Sequence, residues 1–223
     1  MELSIRRLTV GWRPPVGALA TLFAIVLASV LINGARTGGA ASDNAIRILD
    51  SANRVGEHSS IALDTSGNPV ISYYDRSAFA LKVMHCNDPN CAGNDENIAT
   101  PDWVGLVGQY TSLILDAAGN PVVSYYDITN SALKVLHCGN PNCTSGNTIA
   151  TPDTIGDVGK YSSIELDGVG KPVVSYYDET NADLKLLHCG NTTCTSINFL
   201  VIADAGQFSG VGGVQFTGIG RQR

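Results

Sequence analysis

The phrase PVVSYYD stands at residues 121–127 and again at 172–178, and PVISYYD stands at 69–75. Aligned outward, the likeness grows to SSIALDTSGNPVISYYD (59–75), TSLILDAAGNPVVSYYD (111–127) and SSIELDGVGKPVVSYYD (162–178), at offsets of 52 and 51 residues. Each is followed by LKVMHC, LKVLHC or LKLLHC and a second cysteine; the first two units then continue NIATPDWVG and TIATPDTIG. A period of this length is one supersecondary unit copied in tandem, which buries its apolar face by stacking on its neighbours.

Inside a unit the local chemistry is that of strands. In the first copy Ile61–Asp64 is short and β-compatible, and Asp64–Gly67 is a turn with glycine where a positive φ is wanted. Pro69 opens the next strand, where a missing N–H does least harm. Val70–Asp75 is rich in β-branched and aromatic residues, Leu81–Cys86 reads as a third strand and Asn97–Val104 as a fourth. One pleat face of Val70–Tyr74 carries Val70, Ser72 and Tyr74, the other Ile71 and Tyr73, so both faces are largely apolar. A sheet apolar on both sides must lie between neighbours. Four-stranded sheets stacked at about 40 to 50 residues per unit describe a β-propeller.

The units resemble those of secreted bacterial β-propeller proteins. The stretch G-x-H-S-S-x-A-L-D-x-x-G, Gly56 to Gly67, is similar to RCC1-type blades, although Tyr74-Asp75 stands where those carry tryptophan-glycine. The spacing of Ser60, Asp64 and Gly67 also departs from the sialidase Asp-box, and no tryptophan follows. The resemblance implies a fold and carries no activity.

The expected fold is therefore all-β: a partial β-propeller of three four-stranded antiparallel blades plus an incomplete fourth, preceded by an N-terminal hydrophobic helix. The repeats occupy 42–204, in units of about 46–96, 97–147 and 148–198. IRILD (46–50) and FLVIAD (199–204) read as further fourth-strand equivalents. Residues 205–223 start like another unit, Gly206-Gln-Phe-Ser209 paralleling Gly159-Lys-Tyr-Ser162, and then turn glycine-rich. Closed propellers have 4 to 8 blades. Self-association that completes a ring is therefore expected, unless the chain is part of a longer propeller.

Residues 1–41 are of another kind. Arg6, Arg7 and Arg13 precede the apolar run Val16–Ile32, and small residues follow at Gly38–Ser42, the order of a secretory signal. At 17 residues the run would span roughly 25 Å as a helix, so a retained membrane anchor is the alternative to cleavage near Ala40 or Ala41. The expected location is secreted or cell-surface, with membrane contact only through this segment. These 41 residues hold four arginines and Glu2; beyond them 10 Lys and Arg stand against 19 Asp and Glu, a net charge of −9. Such a surface argues against nucleic acid and anionic membranes as partners.

The six cysteines fall in three pairs of identical spacing, Cys86/Cys91, Cys138/Cys143 and Cys189/Cys194. In an exported chain that pattern is a disulfide framework. A zinc site is the rival reading, since His85, His137 and His188 each precede a cysteine, but adjacent side chains point to opposite faces of a strand. No metal and no cofactor is expected.

Recurring polar residues are Asp64/Asp116/Asp167, Ser72/Ser124/Ser175, Tyr74/Tyr126/Tyr177, Asp75/Asp127/Asp178 and His85/His137/His188. A catalytic centre needs its groups once, so recurrence points to scaffolding. The functional reading is a repeated pocket for a glycan or protein ligand: Tyr74, Tyr126 and Tyr177 offer rings, Asp75, Asp127 and Asp178 offer acceptors, and weak sites add by avidity. G-x-S-x-G and H-E-x-x-H are absent, and no arginine beyond residue 41 sits in a catalytic motif. The sequence thus reads as a non-enzymatic binding or scaffolding module, with no catalytic residue; the alternative is the non-catalytic fragment of a glycan-active, sialidase-like enzyme.

Overall fold

A computed structural model describes residues 46–196 and 198–204. The expected signal or anchor (1–41) and the incomplete repeat (205–223) lie outside the described residues. Within them the chain is all β, with no helix and so none long and apolar enough to cross a membrane.

Twelve strands form three four-stranded antiparallel meanders. The first sheet holds β1 (Glu57–Leu63), β2 (Pro69–Asp75), β3 (Ala80–His85) and β4 (Asn97–Asp102). The middle sheet holds β5 (Val107–Leu115), β6 (Pro121–Asp127), β7 (Ala132–His137) and β8 (Thr148–Asp153). The last sheet holds β9 (Val158–Leu166), β10 (Pro172–Asp178), β11 (Asp183–His188) and β12 (Phe199–Asp204). Registers repeat between copies: Val70 opposes His85, Val122 opposes His137 and Val173 opposes His188.

The D-x-x-G turn forms as its residues dictate. Asp64 Oδ1 accepts the N–H groups of Ser66 and Asn68 at 2.8 Å, and Gly67 sits at φ +83°, in the left-handed region glycine tolerates. The same bonds recur at Asp116 and Asp167.

Two sequence expectations are corrected. The first strand of each unit is longer than Ile61–Asp64 suggests, starting at Glu57, Val107 and Val158 and carrying a β-bulge, as the shifts of register show. Residues 46–50 form no strand: no strand among the described residues pairs its backbone with theirs, and a segment without backbone partners is not part of a sheet. They still pack, with Leu49 against the cluster of Tyr73, Met84, Cys86 and Cys91. The fourth strands end at Asp102 and Asp153 because each carboxylate turns back to accept an N–H two residues on, from Val104 and Ile155.

Sheet stacking supplies the core. One cluster joins Val70, Leu81 and Val83 of the first sheet to Val123, Tyr125 and Leu136 of the middle one. Another joins Val122, Leu133 and Val135 of the middle sheet to Val174, Tyr176 and Leu187 of the last. Every residue of β6 is buried, whereas β10 alternates between buried and half-buried. The middle sheet is therefore covered on both faces and the outer sheets on one. Full burial of each such side chain is worth about 1.5–3 kcal/mol. Gly108 and Gly159 permit the closest approach: a Cβ there would lie 2.8 Å from the Leu81 Cα and 2.7 Å from the Leu133 Cα.

Candidate functional site

The two neighbouring tyrosines of each unit face opposite ways. Tyr73, Tyr125 and Tyr176 point back toward the preceding segment and donate to Asp50, Asp102 and Asp153 at 2.7, 2.7 and 2.6 Å. Lys82, Lys134 and Lys185 bond the same carboxylates. Burial and then the adjacent carboxylate push the Tyr125 hydroxyl well above its ordinary pKa, and the same two causes raise Tyr73 and Tyr176. Asp50 is held below the usual carboxylate range: burial opposes this, but the Ala52 N–H, Tyr73 and Lys82 outweigh it. These aspartates are recurring junction residues that sequence reasoning passed over. Their signal was present, since Asp50, Asp102, Asp153 and Asp204 recur at 52, 51 and 51 residues.

The carboxylates expected to offer acceptors are committed inside the fold. Asp75 accepts the N–H groups of Ser77 and Ala78 at 2.9 Å and pairs with Lys82 at 3.2 Å. Asp127 accepts from the Asn130 backbone and side chain and pairs with Lys134, and Asp178 does the same with Asn181 and Lys185. All three are buried.

The tyrosines expected to offer rings stand in a larger aromatic row. His58, Tyr110 and Tyr161 occupy equivalent places on β1, β5 and β9, and their rings run in sequence across the three sheets with centroids 4.4 Å apart. Tyr74, Tyr126 and Tyr177 lie behind them, at 6.3, 6.2 and 6.4 Å respectively. Tyr74 and Tyr126 are buried and Tyr177 is half-buried, so the front row is the accessible one. His58, Tyr110 and Tyr161 all adopt left-handed backbone, at φ +55°, +53° and +54°. A bulky residue pays of order 1–3 kcal/mol for such a conformation, which persists only where the surroundings enforce it. Here the bulge turns the ring out of the strand and onto its neighbour in the next sheet. Polar groups border the row: Tyr126 donates to Asp157 at 2.6 Å, and Lys160 lies 5.2 Å over the Tyr126 ring while bonding Asp157 and Glu179.

His85, His137 and His188 bond through Nε2 to Asp64, Asp116 and Asp167 at 3.1, 2.9 and 2.9 Å, coupling the third strand of each sheet to its first turn. All three expected disulfides form, Cys86–Cys91, Cys138–Cys143 and Cys189–Cys194, with Cα separations of 5.1, 4.9 and 4.8 Å. Bonds of this kind belong to oxidising compartments. Among the described residues no three His, Cys, Asp or Glu side chains converge as a metal site. Compared with known proteins, the chain matches no family model and no curated protein.

Proposed function

We propose that the chain is an exported, non-enzymatic β-propeller-type module whose three sheets are blades, and that it binds a saccharide along the row His58–Tyr110–Tyr161. The carrying observation is Tyr110. It has a ring neighbour 4.4 Å away on each side and still keeps part of its surface open, so the row presents aromatic faces even where both neighbours are in place. Aromatic faces beside charged and amide groups suit a sugar, which offers C–H faces for stacking and hydroxyls for hydrogen bonds. Glu57, Gln109 and Lys160 supply such groups at equivalent positions along the row. Repetition of one weak contact along a chain of sugars adds by avidity.

A glycan array probed with the full chain tests this reading. Binding to a polymeric saccharide should fall at least tenfold on Tyr110→Ala while the circular dichroism spectrum is kept. Silence across the array, or binding indifferent to Tyr110→Ala and Tyr161→Ala, refutes it.

A further inference from the structure

We infer that the outer face of the last sheet docks onto the outer face of the first sheet of a second copy of this chain, head to tail, repeating the two junctions already inside the molecule. This inference stands apart from the saccharide reading and does not depend on it.

The open face of the last sheet is built like a covered one. Leu81 and Leu133 sit at equivalent places on the first two sheets and are 0% exposed; their counterpart Leu184 is 46% exposed. Val83 and Val135 are likewise buried, and their counterpart Leu186 is 37% exposed. The open face of the first sheet shows the complementary pattern. Leu113 and Ile164 are 7% and 4% exposed beneath the preceding sheet, and their counterpart Ile61 is 62% exposed. Beside Ile61 runs a groove of about 280 Å³ lined by Ser59, Ile71, Tyr73 and Met84. Of its apolar walls Tyr73 and Met84 are already buried, and Ile71 is the one left part-open, where its counterpart Val123 is fully covered within the molecule.

The polar pattern specifies the occupant more tightly than the apolar one. At the first junction Thr111 donates to the His58 carbonyl at 2.8 Å and shares a hydrogen bond with Ser72, while the Leu113 N–H donates to Ser60. At the second, Ser162 donates to the Tyr110 carbonyl at 2.9 Å and shares a hydrogen bond with Ser124, while the Ile164 N–H donates to Ser112. A third junction of this kind needs a hydroxyl at Ser59 meeting the Tyr161 carbonyl and Ser175, and an Ile61 N–H meeting Ser163. All of these residues are present on the two outer faces, and Ser59 and Ser163 are exposed.

Glycine gives the same answer. Gly108 and Gly159 are notches filled by the backbones of Leu81 and Leu133, whereas Gly56 has nothing within 4 Å. Leu184 is the residue that fits it. The last sheet departs from the earlier ones at several positions: Leu186 replaces Val83 and Val135, Val201 replaces Ala99 and Ala150, Asp183 replaces Ala80 and Ala132, and Glu165 replaces Ala62 and Ile114. The basic Arg47 beside the opposite groove is the complement in charge of Glu165. Residues 47–50 lie along that groove, and Asp50 does there what Asp102 and Asp153 do at the internal junctions. β12 ends with Asp204 opposite Leu184, in the register of Asp102 opposite Leu81 and Asp153 opposite Leu133. Docking thus exchanges residues 46–50 for β12. Such an interface is heterologous; two copies that close give six sheets, within the 4 to 8 of closed propellers.

Sedimentation velocity on the full chain, with Leu184→Asp and Ile61→Asp, tests the inference. The wild type should sediment as two chains, and each variant alone as one. An equimolar mixture of the two variants should return to two, because one intact junction survives between them. Larger species that the same changes abolish also support it, since a heterologous contact that does not close propagates. As a second readout, Ser59→Cys together with Ser175→Cys should give reducible inter-chain links that neither single change gives. A one-chain wild type without cross-links overturns the inference, as do two-chain variants.

Discussion

Tyr125→Phe isolates one atom of the junction between the first and middle sheets. The hydroxyl donates at 2.7 Å to Oδ2 of Asp102, which also accepts from Lys134 at 2.7 Å. Tyr125 and Asp102 are 0% and 3% exposed, so no water reaches the acceptor when the hydroxyl goes. A hydrogen bond to a charged group is worth about 1.5–3 kcal/mol, and a buried acceptor left short adds its own desolvation. The expected loss is about 2 kcal/mol, or about 4–8 °C in Tm for a unit of this size. Tyr126→Phe is the internal control. Its acceptor Asp157 has a side chain 32% exposed, so water replaces the lost donor and the loss should stay below about 1 kcal/mol. Urea unfolding followed by circular dichroism gives both values. Combining Tyr125→Phe with Lys134→Met should show a coupling of about 1 kcal/mol, because both groups use the same oxygen. Equal losses at residues 125 and 126, or a Tyr125→Phe loss within about 0.5 kcal/mol of zero, would refute the claim that these bonds hold the sheets together.

Acid should weaken the fold in a defined window. The Lys171 N–H and then His188 hold Asp167 down to about 2, and Asp64 and Asp116 are lowered in the same sense. A lowered carboxylate stabilises fully above its unfolded value near 4, and that contribution is lost as pH falls toward 2. The urea midpoint should therefore drop between pH 4 and 2, and drop less in Asp167→Asn; equal slopes would count against the pairing. Gly108→Ala should cost about 1–3 kcal/mol more than Gly56→Ala, since both need a positive φ but only Gly108 meets Leu81 backbone at 2.8 Å. Equal costs in a one-chain preparation would contradict the packing described. Replacing Cys138 and Cys143 together by serine should lower stability by about 2 kcal/mol, the chain-entropy value for a six-residue loop. An unchanged urea midpoint would show that the cross-link is idle.

What the sequence made legible was whatever depends on neighbours along the chain. The turns at Asp64, Asp116 and Asp167, the proline-led strands and the cysteine pairs need only short-range chemistry, and each formed where its residues stand. What stayed hidden depends on which pleat face meets which neighbour. Tyr73 and Tyr74 are adjacent and chemically identical, yet one straps to Asp50 while the other backs the aromatic row. Periodicity separates the faces without saying which face looks toward the preceding sheet, so nothing singled out Asp102 and Asp153. Residues 46–50 show the same limit from the other side. IRILD has the residues of a fourth strand and an aspartate in the right place, and Asp50 keeps its tyrosine and lysine partners. Without strand neighbours to bond its backbone it remains irregular, because a strand is defined by its partners and a side-chain contact is not. Each sheet therefore carries both halves of a junction, and what a residue does is decided by whether a neighbour stands on its side. Leu133 and Leu184 are one residue type at one repeat position, and only the first has a sheet upon it.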